Sequence, residues 1–130
     1  MKEFMLIIRN LIDNQSTWSN EKQQEFIKKC EEYIGRLKQG DKLISAQPLI
    51  REGRIISGSK GAWKEGPFNE HQEVIVGYYH ILAENIEKAI AIAKENPEFE
   101  YTTTARIEVR PIKTKEVITG YVYPKTEPQG

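Results

Sequence analysis

The segment Trp63-Lys64-Glu65-Gly66-Pro67-Phe68-Asn69-Glu70-His71-Gln72-Glu73-Val74-Ile75-Val76-Gly77-Tyr78-Tyr79 joins a glycine-proline pair to a run of β-branched and aromatic residues. Gly66-Pro67 reads as a turn, because proline presets φ and glycine accepts conformations closed to other residues. The run after it reads as a long strand over residues 74–82, since such side chains fit a pleated, half-buried surface.

C-terminal to this strand, Asn85 is placed to cap a helix whose apolar residues Ile86, Ala89, Ile90 and Ala93 recur at i, i+3, i+4 and i+7, and Asn96-Pro97 ends it. A last strand is expected over residues 103–112, with Ile107, Val109 and Pro111 on one face and Arg106, Glu108 and Arg110 on the other. N-terminal to the opening segment, residues 53–58 read as a short β-ribbon leading into a glycine-broken loop, and residues 43–49 as a strand. Between Ser19, an N-cap, and Gly40, a stop, the residues Phe26, Ile27, Cys30, Tyr33, Ile34 and Leu37 form the apolar stripe of a helix. Phe4-Met5-Leu6-Ile7-Ile8, closed by Arg9 and Asn10, is too short to cross a membrane and reads as a buried first strand.

The resulting order, β-α-β-β-α-β, predicts an α+β fold of the ferredoxin-like type, an antiparallel sheet with helices on one side, in a single domain over residues 1–123. Residues 113–123 alternate in character and read as an extra edge strand or a dimer arm, and residues 124–130 as a frayed tail. Helices on one side leave the other side of the sheet open, and a second copy of the chain is its simplest cover.

Composition narrows the partners. Nineteen basic and 19 acidic residues cancel, so no overall field draws the chain to nucleic acid or to an anionic membrane surface. Cys30, the single cysteine, excludes an internal disulfide and fits a reducing, cytoplasmic setting; on the apolar stripe it is expected to be buried and inert. The two histidines, His71 and His80, have no neighbours at metal-clamp spacing, and no cofactor motif is present. Gly58-Ser59-Lys60-Gly61 lacks the spacing of a phosphate loop, and the serines and threonines lack a His and acid beside them.

Taken in order, Met5-Leu6-Ile7-Ile8, Gly66-Pro67-Phe68, Gly77-Tyr78-Tyr79, the helix with Glu87 and Ala89, Asn96-Pro97-Glu98-Phe99 and Glu108-Val109-Arg110-Pro111 resemble the YCII-related proteins, in particular the subgroup with an Asp-Gly-Pro-Phe signature. The resemblance implies ferredoxin-like units that pair sheet to sheet as dimeric α+β barrels. This chain departs from it at Glu65, where the signature has Asp. It also lacks the His-Asp pair proposed for better-studied relatives: no histidine lies between Ser19 and Gly40, and Asn96 precedes Pro97.

Several side chains can carry chemistry. His80 sits in an otherwise apolar and aromatic strand as a general acid/base or as a half-buried core histidine. Glu65, Glu70 and Glu73 cluster near Pro67, and Glu65 is the candidate partner of His80; solvated turn carboxylates are the plainer alternative. Arg106, Glu108 and Arg110 share one strand face and form either a bidentate site for a carboxylate or phosphate or an ion-pair ladder across strands or subunits, and Arg9, at the end of the first strand, can join either arrangement. Trp63 and Phe68 line a cleft or anchor a dimer. Two functions follow: a small-molecule site on the open sheet face, suited to an anion and capable of acid/base catalysis, or a non-catalytic homodimeric interaction module. A fold so widely reused does not choose between them.

Overall fold

The computed structural model describes residues 1–125. Four strands form the main sheet: β1 (Lys2–Leu11), β2 (Leu43–Pro48), β5 (Glu73–Ala83) and β6 (Arg106–Pro111), in the spatial order β2-β5-β1-β6. All neighbours are antiparallel. Thus β1 and β2 run parallel, joined by helix α1 (Asn20–Gln39), and β5 and β6 run parallel, joined by α2 (Ile86–Lys94) and the short α3 (Glu98–Tyr101). This is the expected ferredoxin-like arrangement, and within one chain the sheet stays open rather than closing into a barrel.

Alternation along the strands decides what is core. On β1, Phe4, Leu6, Ile8 and Asn10 point to the helices; on β5, Val74, Val76, Tyr79, Ile81 and Ala83 do so. A register shift after Ile8 reconciles the two series. Tyr33, Leu37, Ala89, Ile92 and Ala93 close the core from the helices, each large apolar side chain contributing about 1.5–3 kcal/mol of burial free energy. The Tyr33 hydroxyl, buried with its ring, donates to the Ile92 carbonyl at 2.6 Å, which ties α1 to α2.

Both expected N-caps form: Ser19 Oγ accepts from the Lys22 amide and Asn85 Oδ1 from the Lys88 amide. Gly40 ends α1, its N–H bonded to the Arg36 carbonyl, but the left-handed residue is the next one, Asp41, at φ 54°. The apolar stripe of α1 is only partly closed over. Phe26, Tyr33 and Leu37 are buried, Cys30 and Ile34 half-buried, and Ile27 is 54 % exposed, because the middle of the stripe faces a cavity instead of packed side chains.

Three local expectations are corrected and a fourth is extended. Gly66-Pro67 is not a turn: it ends strand β4 (Ala62–Pro67), which pairs with β3 (Arg54–Ser59) in a separate two-stranded sheet, and the turn comes at 68–69. That hairpin reverses at Lys60-Gly61, and just before it Gly58 sits at φ 107°, where a Cβ would lie only 2.2 Å from the Ala62 carbonyl oxygen. Asn96-Pro97 does end α2, but Pro97 also starts α3, being free to occupy a helix N-terminus. Strand β6 begins at Arg106 rather than 103, since the preceding threonines are held elsewhere: Thr102 by the Glu98 carbonyl and Thr104 by Asn10. Residues 113–123 form no strand; a single bridge joins Lys115 to Val122 around a turn that leaves Val117 and Ile118 more than 90 % exposed. Of the expected frayed tail, Lys125 pairs with Glu3, and residues 126–130 lie outside the described residues.

Candidate functional site

On the helix side of the sheet, a cavity of about 370 Å³ opens between α1 and the β2 end of the sheet. Its apolar wall is Phe26, Ile27, Cys30 and Ile34 from α1, Ile8 and Val76 from the central strands, and Ala46, Pro48 and Leu49 from β2 and the residue after it. Gly77 lets β2 come this close: a Cβ there would lie 3.0 Å from the Gln47 carbonyl oxygen and 3.2 Å from Pro48 Cα. Polar groups gather at one end, where Gln15, Arg51, Asn96 and Glu98 join the lining.

Glu98 is 7 % exposed and takes its position from α3 and from Asn10. Asn10 continues the inward series of β1 and is fully buried. Its Nδ2 donates to Glu98 Oε2 at 2.9 Å and to Thr102 Oγ1 at 3.1 Å, while its Oδ1 accepts from the Leu11 amide at 2.8 Å and from the Thr104 hydroxyl at 2.6 Å. Burial pushes the Glu98 carboxyl above its usual range; the Asn10 hydrogen bond and the Arg51 charge oppose this without cancelling it. Arg51 is held by two hydrogen bonds from Nη1, to the Leu11 and Ile12 carbonyls at 2.9 and 2.6 Å. Asn96, 2 % exposed, accepts from the Glu98 amide through Oδ1, and its buried Nδ2 has no partner among the described residues. Such a donor is costly to leave unmet, and a ligand acceptor would satisfy it. The Cys30 thiol in the same cavity is pushed up to about 12 by burial and by the nearby Glu98 and Glu31 carboxylates, which keeps it a neutral, weakly nucleophilic group.

The residues singled out in the sequence lie elsewhere. Arg9, Glu108 and Arg110 are brought together on the open face, where Glu108 accepts from Arg9 at 3.1 Å and from Arg110 at 3.0 Å. Beside them Arg106 grips Glu73 with both forks, so these arginines form a ladder of ion pairs across strands. His80, on the same face, meets Glu3 at 2.8 Å, and the other oxygen of Glu3 takes the Lys125 ammonium at 2.8 Å. Burial acts to raise the Glu3 carboxyl, but the hydrogen bonds from Lys125 and His80 outweigh it and hold the group below its usual range. Glu65 and Trp63 stand exposed on the β3–β4 hairpin, Glu65 opposite Ile56, and Phe68 is half-buried against the core. The structure records no hydrogen bond or ion pair between Glu65 and His80 among the described residues: His80 pairs with Glu3 and Glu73 with Arg106. No cluster of three or more His, Cys, Asp or Glu suited to a metal ion occurs among the described residues, and none of their helices is long and apolar enough to cross a membrane.

The sequence of the YCII-related domain matches residues 3–113, which span every element from β1 to β6. The chain belongs to the YCII-related family. No curated protein matches it. In this YCII-related protein, α1 and the residue before Pro97 do converge on one cavity, but they bring a thiol and an amide there instead of an imidazole and a carboxylate. Sequence reading had passed over Glu98, Arg51 and Asn10. Asn10 carried a signal, as the next member of the alternating series Phe4, Leu6, Ile8; Glu98 and Arg51 carried none, since a charged residue in a loop is ordinarily solvated.

Proposed function

We propose that this YCII-related protein binds a small molecule with an apolar body in the cavity beneath α1, and that Glu98 acts there as a general acid/base. The observation that carries this reading is the pairing of a buried carboxyl of raised pKa with the unmet Asn96 Nδ2 at the polar end of an otherwise apolar, concave site. A carboxyl whose hold on its proton is strengthened by burial can give up a proton and take it back, provided a reacting group lies within hydrogen-bond reach of it. Screening small aromatic and aliphatic fragments against the ¹⁵N-labelled chain by NMR tests this. Binders should move the Asn96 side-chain amide and the backbone amides of Cys30 and Glu98. Binders that move only residues of the open face, such as His80 and Arg110, would refute it.

A homodimer is the second part of the proposal. The open face presents Met5, Ile7, Tyr78 and the 40 %-exposed Ile75 between its ion pairs, an apolar centre with a polar rim that suits a second sheet. Light scattering at micromolar concentration should return twice the 15.0 kDa chain mass, and a persistent monomer would refute it. The interaction-module reading stands on this same face, and is the better one if no fragment enters the cavity.

A further inference from the structure

We propose that the cavity beneath α1 selects a small monocarboxylate with an aliphatic or aromatic body, its carboxylate received by the Arg51 guanidinium and the Asn96 side-chain amide. This rests on the binding role just proposed for the cavity, and adds the chemical class of the ligand.

The donors are built and waiting. Both hydrogen bonds of Arg51 leave from Nη1, to the Leu11 and Ile12 carbonyls. They fix the guanidinium plane while leaving its Nε–Nη2 edge without a bond to the described residues, and that edge matches the two oxygens of a carboxylate. Arg51 also lacks an ion pair among the described residues, although its charge is partly desolvated. Asn96 adds a third donor. Its orientation is decided by the Glu98 amide, which needs an acceptor and so claims Oδ1, leaving Nδ2 buried and unbonded in the cavity lining.

Glu98 would repel an incoming anion if ionised, but burial favours its neutral form, and as an acid it can donate to one of the ligand's oxygens. One bound negative charge meets the single guanidinium of Arg51, on which the exposed Asp13 carboxylate also acts. A second, carried at the far end of the ligand's body, would have to sit against Phe26, Ile34 and Val76, which disfavours dicarboxylates. The volume of about 370 Å³ lies at the small end of ligand sites and suits a compact acid.

Isothermal titration of the full chain with 3-phenylpropionate, hexanoate, adipate and the neutral 3-phenylpropan-1-ol tests the proposal. The two monocarboxylates should bind, with 3-phenylpropionate about tenfold or more tighter than the alcohol and adipate weaker than hexanoate. Asn96→Asp retains the oxygen that caps Glu98 but replaces the donor with a carboxylate, and should weaken 3-phenylpropionate at least about tenfold and by a larger factor than it weakens the alcohol, which brings no charge for the new carboxylate to repel. Arg51→Lys, which keeps the charge and loses the fork, should weaken the acid in the same direction. If the alcohol binds as tightly as the acid, or both variants leave the acid's affinity unchanged, the ligand class is wrong while the cavity remains a binding site. If no probe binds, charged or neutral, the binding role falls and this inference with it.

Discussion

Replacing Asn10 by Ala should destabilise the fold far more than the loss of one polar side chain ordinarily does. Asn10 is fully buried and makes four hydrogen bonds, linking β1 to α3 and to the chain leading into β6. Not all four matter equally. Thr102 keeps its bond to the Glu98 carbonyl, and the exposed Thr104 hydroxyl can turn to water. Two groups are stranded: the Glu98 oxygen that Nδ2 served and the Leu11 N–H. At about 1–3 kcal/mol for each buried unmet group, the expected loss is about 4 kcal/mol. That is a large part of the roughly 5–15 kcal/mol that holds a domain together. In urea unfolding followed by circular dichroism, the midpoint should fall by about 2 M for a typical slope of about 2 kcal/mol/M. Thr104→Ala, which leaves Asn10 Oδ1 still bonded to the Leu11 amide, should cost only about 0.5–1.5 kcal/mol. A loss at Asn10 no greater than that at Thr104 would refute the view that Asn10 anchors the Glu98 site.

Two further outcomes follow from the same cavity. Cys30, with its thiol pushed up to about 12 from the ordinary 9.0, should carry about a thousandfold less thiolate at pH 8 than a free cysteine and react slowly with a disulfide reagent until urea is added; labelling at the rate of free cysteine would refute this. The carboxyl of Glu98 has a folded pKa above its unfolded value of 4.5, so its favourable contribution is fully present below about pH 4.5 and is lost as pH rises through the folded pKa. The stability of Glu98→Gln relative to wild type should therefore improve between pH 4 and pH 7, read as the difference between the two urea curves at each pH. A difference that stays constant would show that Glu98 titrates normally.

The sequence alone was enough for the β-α-β-β-α-β frame of the main sheet, both helix N-caps, the inward and outward series of β6, and the family. These depend on neighbours three or four residues apart in a helix and two apart in a strand, so they survive without knowledge of what packs against what. The β4 strand was missed because Gly66-Pro67 has strong turn chemistry, and only pairing with Arg54 and Ile55 overrides it at the edge of a small sheet. The open-face grouping of Arg106, Glu108 and Arg110 was legible from alternation, whereas the pairing of His80 with Glu3 depends on how β5 aligns with β1. The cavity itself belongs to the tertiary structure. Asn10, Arg51, Asn96 and Glu98 come from three distant parts of the chain, and what makes them a site is desolvation by groups that no local pattern encodes. A glutamate after a proline is a solvated loop residue in sequence; it becomes a buried acid only when β1 and α3 close over it.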